Sequence, residues 1–171
     1  MSNAPTPGLE KAQRIAATAQ ALAVITLIFI VVNIVYRMGP PVTAAVFDHT
    51  KSWREHTQAI GLVAISLLPT FLFYEAVNQL RRALNHYRDG RFYSEAAASR
   101  VAQAGDYAIG AMVAIMLVVP NLTLWVSQRG SFGIKLDFNY IGMLAFALFI
   151  AAVGRILAAA AQLKTENDSF V

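Results

Sequence analysis

Residues 107–128 read YAIGAMVAIMLVVPNLTLWVSQ and contain no Asp, Glu, Lys or Arg over 22 positions. A helix needs roughly 20 mostly apolar residues to cross the roughly 30 Å of hydrocarbon in a bilayer. Three further stretches of comparable length are equally free of these charged residues: 15–36, 56–74 and 138–154. The pattern predicts an all-α integral membrane protein built as a four-helix bundle.

The composition of the whole chain agrees with this fold class. Of its 171 residues, 57% are hydrophobic and 14% are charged, with a mean hydropathy of +0.50, whereas soluble domains carry about 25% charged residues. The first apolar run is too long for a signal-peptide core of about 7 to 15 residues, and we interpret it as a retained span. Cysteine is absent, so disulfides and thiolate metal sites are excluded.

The predicted organisation is a single membrane domain over residues 9–165, with a flexible N-terminus at 1–8 and a C-terminal tail at 166–171. Two helical hairpins contain the four spans, at about 15–36, 56–77, 105–128 and 138–161. The second helix should continue past its span and end at Asp89-Gly90, because glycine readily adopts the left-handed conformation that terminates helices. Ser94 is a suitable N-cap for the next helix. Residues 88–94 would then form the tip of the hairpin.

The distribution of Lys and Arg predicts the orientation. Nine of the fourteen basic residues flank the two termini and the middle connection, and five lie on the other side. Cytoplasmic flanks carry the excess of positive charge. We therefore expect both termini and the hairpin tip to be cytoplasmic, in a multi-pass protein of the bacterial cytoplasmic (inner) membrane.

The hairpin tip and the tail form the predicted interaction surface. Two short segments, 91–93 and 169–171, are predicted to be extended and to pair with each other. Basic side chains of the tip would then face the acids of the tail. The residues of this surface are Arg88, Arg91, Phe92, Tyr93, Glu166 and Asp168.

Three charged residues are predicted to lie at one depth near the cytoplasmic boundary: Glu75, Asp106 and Arg155. A guanidinium can bind two carboxylates at once, and an unpaired charge near hydrocarbon has a high free-energy cost. A structural ion cluster is the favoured interpretation. A proton relay is the alternative, although no deeper ionisable residue continues a path.

Two prolines interrupt the middle spans, Pro69 and Pro120, and a polar residue follows each, Thr70 and Asn121. Proline removes a helix hydrogen bond, and nearby polar side chains satisfy the freed carbonyl groups. A bent helix in a compact bundle is the favoured interpretation. The alternative is an intramembrane polar site for a transported solute.

No reaction centre is evident. The spacing of His49 and His56 is not a recognised zinc signature, and no phosphate-binding loop, nucleophile elbow or HExxH sequence is present. We expect no catalytic residue, no metal and no cofactor, and therefore no enzyme. Direct binding of nucleic acid is also not expected.

Two segments, DGRFYSEAAASRVAQAGDYAIG at 89–110 and VGRILAAAAQLKTENDSFV at 153–171, resemble an uncharacterised bacterial family of four-span membrane proteins. That family pairs a central G-x-F-x-S-x-E-N type motif with an E-x-D-x-T-V type tail. Here Gly90, Phe92, Ser94 and Glu95 match the first motif, whereas Ala96 replaces its Asn. The tail matches at Glu166, Asp168 and Val171. The resemblance implies a four-span architecture and, as a partner to consider, the small helix-turn-helix regulators often encoded beside the family.

These observations favour a protein that works by interaction. Besides the lipid bilayer, its partner would be a cytoplasmic regulator or another membrane complex. A small-solute transporter or transport accessory subunit is the alternative. Small residues spaced along span four, including Ala147, Ala151 and Gly154, permit close helix approach. Whether they pack within the chain or form a homo-oligomer is left open by the sequence.

Overall fold

The computed structural model of the protein describes residues 7–47, 52–92, 94–128, 130 and 132–169. These residues are helical apart from short connections. The helices are α1 (Pro7–Phe47), α2 (Trp53–Arg88), α3 (Glu95–Val113), α4 (Val119–Ser127) and α5 (Phe138–Ser169). A π-helical turn, Ala114–Val118, joins α3 and α4 into one continuous helical rod.

Four helical rods are long and apolar enough to cross a membrane: α1, α2, the α3–α4 rod and α5. Each contains an 18-residue window whose mean hydropathy lies between 1.9 and 2.5. The prediction of an all-α protein with four membrane-spanning helices is confirmed.

The rods pack in the order in which they occur in the chain. α1 packs on α2, α2 packs on α3 and α4, and α3 packs on α5. Within the described residues, α1 and α5 share no comparable interface. The bundle is therefore open between its first and last helices.

Small residues form the interfaces between the rods, and most of the buried apolar positions are alanine. A Cβ added at Gly105 would lie 2.5 Å from the Cα of Ala151, and one added at Gly154 would lie 2.6 Å from the Cα of Ala102. Close backbone approach of this kind is how helices associate in lipid, where burial of apolar surface gives little driving force. Ala147, Ala151 and Gly154 are all buried in α5, whose main packing partner is α3.

The N-terminal part of α1 and the C-terminal part of α5 lie at the same end of the bundle as the 88–94 connection. A Cβ added at Gly90 would lie 2.9 Å from Nε2 of Gln13 in α1. On the other flank, Nε2 of Gln162 in α5 donates to Oε1 of Glu95 at 2.8 Å. We call this the hairpin end, and we call the other end, where α1 ends at Phe47 and α2 begins at Trp53, the opposite end.

α1 is longer than the predicted first span. It begins at Pro7, so Pro7 and Gly8 belong to a helix rather than to a flexible N-terminus, and residues 1–6 lie outside the described part of the chain. At the opposite end it continues through Pro40 and Pro41 to Phe47. Each proline removes one backbone donor, but the neighbouring turns keep their hydrogen bonds, so the helix is not interrupted.

Candidate interaction surface at the hairpin end

The tip begins with a Schellman-type helix end on α2. Gly90 is left-handed, with φ +78°. The N–H of Arg91 donates to the carbonyl of His86 at 2.9 Å, and the N–H of Gly90 donates to that of Tyr87 at 3.0 Å. These bonds satisfy carbonyl groups that the end of a helix leaves without donors. The predicted role of Gly90 is confirmed.

α3 begins with a side-chain cap only four residues after Gly90. The hydroxyl oxygen of Ser94 accepts from the N–H of Ala97 at 3.4 Å, and Glu95 lies in the first turn, where the helix dipole favours an acid. The predicted N-cap is confirmed. Both sides of the tip are therefore fixed by hydrogen bonds to the adjacent helix ends.

The tip presents two arginines around one carboxylate. The side chains of Arg88 and Arg91 reach Asp89 at 3.6 and 3.3 Å and remain 50% and 63% exposed. Phe92 stacks on Tyr87, with ring centroids 6.0 Å apart and ring planes 5° apart. Three of the predicted interaction residues, Arg88, Arg91 and Phe92, thus lie together at the tip.

Residues 166–169 form the last turn of α5, so Ser169, which was predicted to be extended, is helical. Continuing the helix keeps backbone hydrogen bonds that an extended segment would have to find elsewhere. Glu166 and Asp168 are exposed on this turn, and the described residues contain no ion pair between them and the arginines of the tip. Tyr93, Phe170 and Val171 lie outside the described residues, so their predicted pairing stays a prediction.

Two members of the predicted ion cluster meet. Nη2 of Arg155 on α5 lies 2.8 Å from Oδ1 of Asp106 on α3, and the two side chains are 67% and 50% exposed. Glu75 lies on α2 between Leu72, which faces Gly110 on α3, and Gln79, which bonds to Arg100 on α3. Across the described residues, however, it takes part in no ion pair. The structure therefore shows a clasp between α3 and α5 rather than a cluster of three charges.

Sequence reasoning missed a polar connection between α2 and α3. Gln79 is buried on α2, and its Oε1 accepts from Nη1 of Arg100 on α3 at 2.8 Å. The adjacent Asn78 is also buried and accepts from Arg81 at 3.2 Å. The available signal was the pair of amides at 78 and 79 in a helix otherwise packed through alanines. The Gln79–Arg100 bond joins the two helices of the hairpin beyond their apolar segments, whereas the Asn78–Arg81 bond lies within α2.

At the opposite end, the side chain of Asn121 is hydrogen-bonded to backbone groups. Its Nδ2 donates to the carbonyl oxygens of Leu117 and Gly133 at 2.5 and 2.8 Å, and its Oδ1 accepts from the N–H of Gly133 at 2.9 Å. Pro120 has no N–H for the preceding turn, and the carbonyl of Met116 accepts instead from the N–H of Lys135 at 2.9 Å. We call these contacts the loop clamp, because they hold the connection before α5 against the rod.

No hydrogen bond of the described residues joins Thr70 to Asn121. Two contacts between α2 and the α3–α4 rod relate their levels: Leu72 faces Gly110, and Gly61 faces Val126. With a rise of about 1.5 Å per residue, these contacts separate Thr70 and Asn121 by roughly 13 and roughly 6 Å along the bundle. An intramembrane polar site that uses both residues therefore stays a prediction.

The described residues contain no group of three or more His, Cys, Asp or Glu side chains placed to hold a metal ion. The polar groups at the hairpin end are amides, guanidiniums and carboxylates that bond to one another. Such an arrangement holds helices together and presents charge.

Fold and surface together define a class: a multi-pass membrane protein whose helices continue past their apolar segments into a polar, hydrogen-bonded hairpin end. The chain belongs to the DUF2975 family of proteins of unknown function, whose profile matches residues 10–171. No curated protein and no solved structure is significantly similar to it.

Proposed function

We propose that this protein resides in the bacterial cytoplasmic membrane with its hairpin end in the cytoplasm, and that it works by binding another protein there. The partner would be a cytoplasmic regulator or another membrane complex. The protein would be neither an enzyme nor dependent on a cofactor.

The charge distribution supports this orientation. The hairpin end gathers the basic residues of the N-terminal flank, the middle connection and the C-terminal flank, which are nine of the fourteen in the chain. An excess of Lys and Arg in short connections keeps them on the cytoplasmic side during insertion. The same charges favour proximity to the anionic inner leaflet.

One observation supports the interaction role most strongly: the hairpin tip is held in a defined conformation in the absence of a partner. The Schellman-type end at Gly90, the cap at Ser94 and the stack of Phe92 on Tyr87 hold its backbone and one of its aromatic rings. A preorganised surface avoids much of the ordering cost of binding. Aromatic and arginine side chains are also the types that contribute most at protein interfaces.

The experiment is affinity capture from membranes in mild detergent, comparing the wild-type protein with the double variant Arg88→Glu, Arg91→Glu. The matched control is Lys135→Glu, which reverses an exposed charge in the connection before α5, away from the hairpin end. We expect the captured partner to be lost from the double variant and kept by the control. Equal capture by all three proteins would contradict the proposal.

The transport alternative is weakened by the loop clamp. The side-chain amide of Asn121 already contacts Leu117 and Gly133, so it is not available to a solute in this state. Uptake into vesicles that requires Asn121 would restore this alternative.

A further inference from the structure

The helices do not end at one level at the opposite end. Lys135, three residues before α5, contacts Met116 through the loop clamp. α4 nevertheless continues to Ser127, eleven residues past Met116. At about 1.5 Å per residue, α4 projects roughly 16 Å beyond this contact.

A cavity of about 1360 Å³ lies beside this projection, between the N-terminal part of α2 and α4. Its mouth is polar and is lined by Ser52, Arg54 and Gln128. Further in, its lining, which we call the floor, is mostly apolar and includes Gly61, Leu122 and Val126. Asn121 also lines this part, but its amide is bonded in the loop clamp. The polarity therefore changes along α2 from Arg54 to Gly61, over roughly 10 Å of helix.

This gradient runs along α2 and α4, which belong to two of the rods that are long and apolar enough to cross a membrane. In a spanning helix the ends meet headgroups and the middle meets hydrocarbon. Water in the floor would face Leu and Val side chains, which cannot hydrogen-bond to it. A molecule with a polar head and a hydrocarbon chain matches both parts.

The charge of the residues at the mouth indicates that the polar head of the bound molecule is negatively charged. Arg54 lines the cavity, and its side chain belongs to no ion pair of the described residues. The neighbouring acid, Glu55, is bound in a capping box: its Oε2 accepts from the N–H and hydroxyl of Ser52 at 2.8 and 2.9 Å. A guanidinium is well suited to phosphate oxygens.

We propose that this cavity binds one phospholipid with an anionic headgroup, with an acyl chain over the floor at Gly61 and Leu122 and the phosphate near Arg54. The lipid would lie between the N-terminal part of α2 and α4. This site is separate from the hairpin end, so it does not depend on the interaction proposed above.

The experiment is native mass spectrometry of the detergent-purified protein with added phosphatidylglycerol or phosphatidylcholine. Two variants alter the site: Arg54→Gln removes the charge, and Gly61→Leu fills the floor. Their matched controls are Arg37→Gln, a basic residue that does not line the cavity, and Gly142→Leu, where an added Cβ meets nothing within 4 Å. Size-exclusion profiles and circular dichroism establish that each variant is folded.

We expect the wild type and both controls to retain one phosphatidylglycerol. Arg54→Gln should weaken its retention roughly fivefold, the factor expected of an ion pair in a hydrated headgroup region, and Gly61→Leu should abolish it. Equal retention of phosphatidylcholine would overturn the assignment of the headgroup. Unchanged retention by both site variants, or a fatty acid in place of the phospholipid, would overturn the site.

Discussion

Asn121 shows how one side chain can replace part of a backbone ladder. Its amide offers a donor and an acceptor to Gly133, as a paired strand would, and it also reaches the carbonyl of Leu117. Irregular backbone at membrane depth is tolerated only where its polar groups are satisfied by protein or water. The loop clamp supplies those partners before α5 begins.

Replacing Asn121 with Ala should destabilise the protein by about 1–3 kcal/mol, because both polar groups of Gly133 lose their partner in an apolar setting. The measurement is the thermal unfolding midpoint in detergent. Asn139→Ala is the control, because the exposed Asn139 is bonded through its backbone N–H, to Asp137. Equal midpoints for the two variants would argue against the loop clamp.

Gly105 and Gly154 matter because they carry no side chain. Each faces the backbone of the opposing helix, so an added Cβ cannot be accommodated by a side-chain rotation. The two glycines therefore set the distance between α3 and α5.

Gly105→Ala should separate these helices and cost about 1–3 kcal/mol or more, as overpacking of a core does. Gly142→Ala on α5 is the control. Nothing lies within 4 Å of its added Cβ, and alanine is the better helix former by about 1 kcal/mol. We expect a lower unfolding midpoint for Gly105→Ala and no decrease for Gly142→Ala. A decrease of similar size in both would contradict the close approach.

Among the elements, the α2–α3 hairpin has the clearest local determinants. A left-handed glycine ends one helix and a serine cap starts the next. Below the tip, Gln79 and Arg100 connect the two helices at 2.8 Å. The hairpin thus stays paired where its residues are no longer apolar.

Ser94→Ala should destabilise the start of α3 by about 1 kcal/mol, the usual contribution of an N-cap hydroxyl. Hydrogen exchange of the amides around 95–98 reports this change directly and should be faster in the variant. Ser99→Ala, within the same helix, should leave those amides unchanged, because Ser99 bonds to the side chain of Gln103 rather than to the first turn. Unchanged exchange in Ser94→Ala would exclude the cap.

The sequence was sufficient for the helices and their ends at the tip, because those depend on neighbouring residues: apolar runs, Gly90 and Ser94. The sequence was insufficient for contacts between residues that lie far apart in the chain. Equal depth correctly predicts the pair of Asp106 and Arg155. It also predicts that Glu75 joins them, because depth does not determine which face of a helix a side chain occupies. Gln79 bonds to Arg100 and Asn121 bonds to Gly133, partners 21 and 12 residues away, which the neighbouring sequence does not identify.

At the scale of the whole molecule, the two ends of the helix bundle differ, because most of the basic residues lie at one of them. The hairpin end carries the polar contacts between α2, α3 and α5. The opposite end carries the loop clamp and the cavity. An interaction role requires the first of these ends to face the compartment of the partner.

Cysteine accessibility in intact cells tests this orientation most directly, and the chain has no native cysteine to remove. Single cysteines are introduced by Arg88→Cys at the hairpin end and by Gln128→Cys at the opposite end, and the cells are treated with a membrane-impermeant maleimide. We predict that the cysteine at 128 reacts in cells whose outer barrier is permeabilised, whereas the cysteine at 88 reacts only after the cytoplasmic membrane is opened. Reaction of the cysteine at 88 while that membrane is intact would contradict the account.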